Sequence, residues 1–124
     1  LESAIQGCYT EKLLSPIPDS FRRRYFTSES EKQNSHNQIK TEIQRLIQFR
    51  QFNLMSAEYP IATKFQLIFC RNVLYYLQPE RREFLIRKLV DHLEEGGWLV
   101  LGITESGYSI DKMEKHSISI YQKT

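Results

Sequence analysis

The sequence has 124 residues, 40% of them hydrophobic, with 17 basic against 15 acidic side chains. That is chain enough for one modest core, with the ordinary composition of a globular protein. A formal charge of +2 is too small to argue for a nucleic-acid or membrane-surface partner, and no apolar run reaches the length of a bilayer span.

Residues 1–7 read as the tail of a helix stopped by Gly7. The chain opens at Leu1 as if in mid-helix, so it reads as a piece of something longer. Pro16 and Pro18 mark a loop, and Asp19 is placed to cap a short helix over 21–26. Residues 27–37 contain no apolar side chain and are expected to form a surface loop or disordered tip. Thr41 is placed to cap a single helical turn through Arg45. Residues 46–54 alternate in part, with Ile47 and Phe49 on one face, and predict a strand.

Residues 65–70, FQLIFC, form a short apolar run that predicts a strand buried on both faces. It stops at Arg71-Asn72, which places a charged fork and an amide at the carboxyl edge of a sheet. Open α/β sheets bind their ligands at that edge. Pro79 then stands at the first position of a helix whose inner stripe is Phe84, Leu85, Leu89, Val90 and Leu93. Gly96-Gly97 is expected to end that helix, and 98–102 reads as a second buried strand. Residues 107–115 read as a connection, and 117–121 alternate cleanly as a last strand. Strand 65–70, helix 79–94 and strand 98–102 together predict a right-handed crossover between parallel strands.

Arg71 and Asn72 can line a ligand pocket, or they can cap a strand end and pair with a surface carboxylate. Asn53 would join Asn72 at the same edge if both predicted strands lie parallel in one sheet; alone, it reads as a turn residue. Tyr75 and Tyr76 can stack on a flat heterocycle or pack at the rim of a core. Glu105 can serve as a base or a hydrogen-bond acceptor, but a solvated loop carboxylate is the ordinary reading. The histidines show no pairing with a nucleophile, and Cys8 and Cys70 fit no metal spacing. No metal site is expected. Cys70 reads as a small core hydrophobe, which suits a reducing cytoplasm. The Arg22-Arg23-Arg24 run reads as a solvated helix face, with a docking patch for an acidic partner as the lesser alternative.

With these residues in view, the chain resembles the carboxyl-terminal part of the CheR-type chemotaxis receptor methyltransferases. The matching stretches are residues 65–77 (FQLIFCRNVLYYL), Gly96-Gly97 and residues 99–106 (LVLGITES). Arg24-Tyr25-Phe26, residues 49–55 and residues 120–123 add to them in order. The family's Asp after the first Phe is Gln66 here, and its His-Ser pair is Ile103-Thr104.

The resemblance implies an α/β, partial Rossmann-like S-adenosylmethionine-dependent methyltransferase fold lacking its first two strands. Residues 1–124 would be one carboxyl-terminal portion of the catalytic domain, without the helical domain and the glycine-rich cofactor loop. It implies methyl transfer to glutamate carboxylates of chemoreceptor cytoplasmic domains, or of another protein acceptor, with S-adenosylhomocysteine as product. Asn53, Leu54, Arg71 and Asn72 would bind the cofactor, and Tyr76 would stand near the reacting methyl group. A bacterial cytoplasmic enzyme is expected, with no nucleic-acid partner and no membrane insertion. Alone, these residues would be inactive and would complete their sheet by dimerisation or strand exchange, or leave 1–60 poorly ordered. The alternative from another class is a non-catalytic methyltransferase-like module for binding or signalling. A third is a Rossmann-like metabolic methyltransferase with a small-molecule acceptor.

Overall fold

A computed structural model describes residues 1–28, 36–105 and 107–124, and the chain divides into two compact units, Leu1–Gln51 and Phe52–Thr124. In the first, helix α1 (Glu2–Gln6) ends at Gly7, whose φ of 64° is the left-handed turn that glycine enters without cost. Then follow β1 (Cys8–Thr10), α2 (Glu11–Leu14), α3 (Asp19–Tyr25), β2 (Phe26–Ser28), β3 (His36–Ile39) and α4 (Thr41–Gln44). The three strands form an antiparallel sheet in the order β1-β3-β2. Glu11 ties the unit together by pairing with Arg22 and accepting a 3.0 Å hydrogen bond from Asn37 Nδ2. Arg22 of the arginine run is therefore engaged in an ion pair.

Several local expectations change here. Asp19 is the first helical residue, not the cap: the amides of Phe21 and Arg22 bond to the Pro18 carbonyl. Both ends of the polar segment 27–37 pair as β2 and β3, because a ladder needs only backbone groups; 29–35 lie outside the described residues. The strand expected over 46–54 does not form. The backbone instead turns beyond α4 through Leu46 N–H to Ile43 O and Ile47 N–H to Gln44 O. No described strand pairs with 46–54, and Leu46 is 80% exposed. Apolar alternation makes a strand only where a neighbour supplies the ladder.

The second unit holds β4 (Phe65–Cys70), a 3-10 turn (Leu74–Tyr76), α5 (Pro79–Asp91), β5 (Leu93–Leu101), a second 3-10 turn (Ile103–Glu105), β6 (Met113–Lys115) and β7 (Ile120–Lys123). The sheet order is β4-β5-β7-β6, with β4 and β5 parallel and the remaining pairs antiparallel. The crossover β4-α5-β5 thus joins parallel neighbours, as its sequence predicts. Leu85, Ile86, Leu89 and Val90 form the buried face of α5, and pack in one cluster with Leu93, Leu99, Leu101, Leu74 and Tyr121. Each such side chain contributes about 1.5–3 kcal/mol on leaving water.

Gly96-Gly97 does not end the helix, which closes at Asp91 with His92 as its cap. The glycines sit in a bulge of β5: Phe65 faces Leu93, yet Leu67 faces Trp98. A Cβ on Gly97 would stand 2.9 Å from Glu94 O and 3.1 Å from Phe65 O, so only glycine lets β4 pass. Lys123, 8% exposed, spans the bulge from β7 with bonds of 3.0 Å to Leu93 O and 3.0 Å to Glu95 Oε1. The expected connection 107–115 contains β6, and the last strand begins at Ile120 rather than Ser117. β4 is an edge strand among the described residues, so its expected burial on both faces fails: Leu67 is 47% and Phe69 66% exposed.

Candidate functional site

Because β4 and β5 run parallel, Cys70 and Leu101 end at the same edge of the sheet, opposite one another. The two loops leaving that edge, 71–76 and 102–105, are joined by one side chain. Glu105 is 2% exposed and accepts three backbone hydrogen bonds. The amide of Asn72 donates to Oε2 at 2.8 Å, that of Gly102 to the same oxygen at 3.2 Å, and that of Tyr75 to Oε1 at 3.2 Å. The ordinary sequence reading of Glu105 as a solvated carboxylate is overturned. An apolar run followed by G-x-x-E carries no local sign that the carboxylate folds back onto another strand's loop.

Gly102 makes the arrangement possible. A Cβ there would stand 2.5 Å from Glu105 Oε2 and 3.3 Å from the Asn72 amide nitrogen. The charge is felt nearby: burial first, then Glu105, pushes the Cys70 thiol up to about 11.

Asn72 takes φ 60°, a left-handed conformation that asparagine tolerates better than most residues. The turn carries Arg71, Asn72, Tyr75 and Tyr76 on the surface. Arg71 meets no hydrogen-bond or ion-pair partner among the described residues, so the surface-pair alternative has no partner here. Tyr75 and Tyr76 bring their rings to 3.9 Å, and Tyr76 is 73% exposed. A hydrogen bond with Tyr76, then burial, then the charge of Glu105 raise the Tyr75 phenol above its ordinary value. Arg82 fastens the end of the turn from α5, donating from Nε to Leu77 O at 2.7 Å.

Asn53 and Leu54 lie on a loop rather than at a strand end. Asn53 Oδ1 accepts from the Met55 amide at 2.9 Å, which closes a local turn. Leu54 packs against the core cluster, and its carbonyl accepts from Tyr59 Oη at 2.6 Å. Tyr59 in turn stands 5.0 Å from the ring of His92 at the end of α5. Arg71, Asn72 and Tyr76 are therefore gathered on one turn, while no hydrogen bond joins Asn53 to that turn among the described residues.

The model of the family described as CheR methyltransferase, SAM binding domain, matches residues 1–121. The chain belongs to this family. It is 36% identical to a chemotaxis protein methyltransferase of Vibrio parahaemolyticus, over 86% of this chain and 38% of the relative. It is 30% identical to a probable chemotaxis protein methyltransferase of Rhizobium etli, over 100% of this chain and 47% of the relative. With the enzyme of that class from Borreliella burgdorferi it shares 28%, over 99% of this chain and 42% of the relative. The chain thus spans less than half the length of these relatives. Its mixed sheet and parallel crossover are those of a partial S-adenosylmethionine-dependent methyltransferase fold. Among the described residues no helix is long and apolar enough to cross a membrane.

Proposed function

We propose that these residues are the carboxyl-terminal part of the catalytic domain of a bacterial, cytoplasmic protein-glutamate O-methyltransferase. It acts on the cytoplasmic domains of chemoreceptors. The observation that carries this reading is the family match over residues 1–121, in which the CRNV turn and the G-x-x-E turn meet at one sheet edge. The residues at that edge suit an adenosine-containing ligand. Asn72 offers an amide that donates and accepts, Arg71 a planar fork with no hydrogen-bond or ion-pair partner among the described residues, and Tyr75 and Tyr76 exposed aromatic rings.

S-adenosylmethionine would supply a sulfonium methyl group, an acceptor carboxylate oxygen forming the O–CH3 bond as the CH3–S bond breaks and S-adenosylhomocysteine leaves with the electron pair. The acceptor glutamate is already ionised near neutral pH, so alignment matters more than a base. Arg71 and Asn72 would line the cofactor pocket, and Asn53 and Leu54 would contact its adenine end, with Asn53 also closing the local turn that carries Leu54. Tyr76 would stand near the reacting methyl group and help to align the acceptor oxygen. These 124 residues alone are proposed to be inactive. The edge position of β4 among the described residues, with Leu67 and Phe69 exposed, supports self-association in isolation. A monomer in light scattering would remove that part of the proposal.

The full-length protein carrying this segment is the object to test, by calorimetry with S-adenosylhomocysteine and by radiolabelled methyl transfer to a receptor cytoplasmic domain. We expect saturable binding, alkali-labile label on the receptor, and at least about tenfold weaker binding in Asn72→Ala. Absence of binding would overturn the enzyme in favour of a non-catalytic module. Binding with label only on small molecules would favour a metabolic methyltransferase.

A further inference from the structure

Buried Leu74 and the bond from Arg82 hold the far part of the Arg71–Tyr76 turn, but neither accounts for its start at Asn72. Asn72 sits at φ 60°, an uncommon conformation for a residue with a side chain, and is itself exposed. The apolar anchor of the turn is Leu74, two residues on and fully buried, with Val73 packed against the same core, which leaves Asn72 itself to polar contacts. Of its backbone groups, the amide is held, and by a carboxylate from another loop.

We propose that Glu105 is the positioning residue of this site. Its buried carboxylate is the template on which the Arg71–Tyr76 turn is built, and cofactor affinity depends on it although it touches no cofactor. This rests on the cofactor reading given above. Three features carry it. First, the acceptor is complete on both sides, with Oε2 taking the Asn72 and Gly102 amides and Oε1 taking that of Tyr75. Hydrogen bonds to a charged acceptor are roughly twice as strong as neutral ones. Second, the two anchoring amides of the turn, 72 and 75, bracket it. Fixing both sets the direction in which the side chains of Asn72 and Tyr76 leave the edge. Third, space is reserved for the carboxylate, because any side chain at position 102 would enter it at 2.5 Å. The spacing G-x-x-E is therefore the length of one closed turn, with the Glu105 amide returning to the Gly102 carbonyl at 3.0 Å.

The chemistry distinguishes a template from mere filler. Glutamine at 105 has the same shape but only one acceptor, so either the Tyr75 amide or the Asn72–Gly102 pair would face an NH2 donor. An unmatched buried donor costs more than a lost contact. The turn should then loosen while the sheet stays folded.

The test uses the full-length protein and the variants Glu105→Gln and Gly102→Ala. Two readouts are taken: S-adenosylhomocysteine affinity by calorimetry, and amide hydrogen exchange over residues 71–76 against β5 as internal control. We expect both variants to bind at least about tenfold more weakly. Exchange should be faster in 71–76 and unchanged in β5. Wild-type affinity in Glu105→Gln, or exchange raised equally in β5, would overturn the proposal. If the wild-type protein binds no S-adenosylhomocysteine, the cofactor reading fails. Exchange then decides the template alone: faster in 71–76 upholds it and unchanged overturns it. Should neither variant fold, the wild-type Asn72 and Tyr75 amides still decide. Protection on the order of 100-fold over free-chain rates supports the template, and free-chain rates overturn it.

Discussion

In Leu1–Gln51, Leu14 is the one buried apolar side chain among the described residues, while Leu1, Ile5, Leu13, Phe21, Leu46, Ile47 and Phe49 are all exposed. In Phe52–Thr124, ten buried side chains join in a single cluster. The second unit is also the more apolar in sequence. The two differ in connectivity as well. The second has a strand-helix-strand crossover that brings a helix face onto a sheet face; the first has three strands of three or four residues and helices of seven or fewer, held mainly by backbone ladders and by Glu11. A core needs two faces that meet, and short pieces do not present them.

The largest effect that can break this contrast is a cavity. Leu85→Ala, at a fully buried position of α5, should destabilise the second unit by about 3 kcal/mol in urea unfolding. Leu46→Ala, at 80% exposure, should stay within about 0.5 kcal/mol. Equal losses would mean that the first unit hides a core of its own.

The thiols sharpen the comparison next. Cys8 is exposed and Cys70 buried, with the Cys70 thiol pushed up to about 11. Alkylation at about pH 8 should modify Cys8 first and leave Cys70 until the protein unfolds. Because the folded state raises the thiol above its ordinary 9.0, its contribution to stability is complete below pH 9.0 and is lost as pH rises toward about 11. Cys70→Ser should flatten that alkaline decline, and an unchanged decline would assign it elsewhere.

The smallest effect lies at Glu11. The bonds from Arg22 and Asn37 lower its pKa below 4.5. A lowered carboxylate stabilises above its unfolded value and loses that contribution as pH falls. Acid titration followed by near-ultraviolet ellipticity of the Tyr9–Phe26 ring pair should therefore show a loss below pH 4.5 that Glu11→Gln removes. Persistence of the loss in Glu11→Gln would show that another group holds the first unit.

Much of the second unit was legible from residues alone. Pro79 announces α5 because its missing N–H is harmless there, and the spacing of Leu85, Leu89 and Val90 finds the buried face, though Ile86 escapes the stripe. The polar stop at Arg71-Asn72 marks the sheet edge, since a parallel strand must end where its loop begins. The first unit was less legible: β1, β2 and β3 are too short and too polar to leave a pattern. The glycine pair misled because a bulge and a helix stop both use left-handed backbone, here at Gly96 with φ 77°.

What the residue order decides unaided is local and directional: where α5 starts, that β4 and β5 run parallel around it, and that the CRNV and G-x-x-E segments identify the family. What only folding decides is which groups meet. Residues 46–54 carry strand-like alternation but pair with no strand among the described residues, and Phe69 carries core chemistry but lies on a strand that is an edge among them. Glu105 looks like a loop carboxylate and becomes the buried acceptor of two loops, because amides 33 and 30 residues away in sequence arrive at its oxygens. Propensity acts between neighbours in the chain, whereas pairing and burial act between neighbours in space.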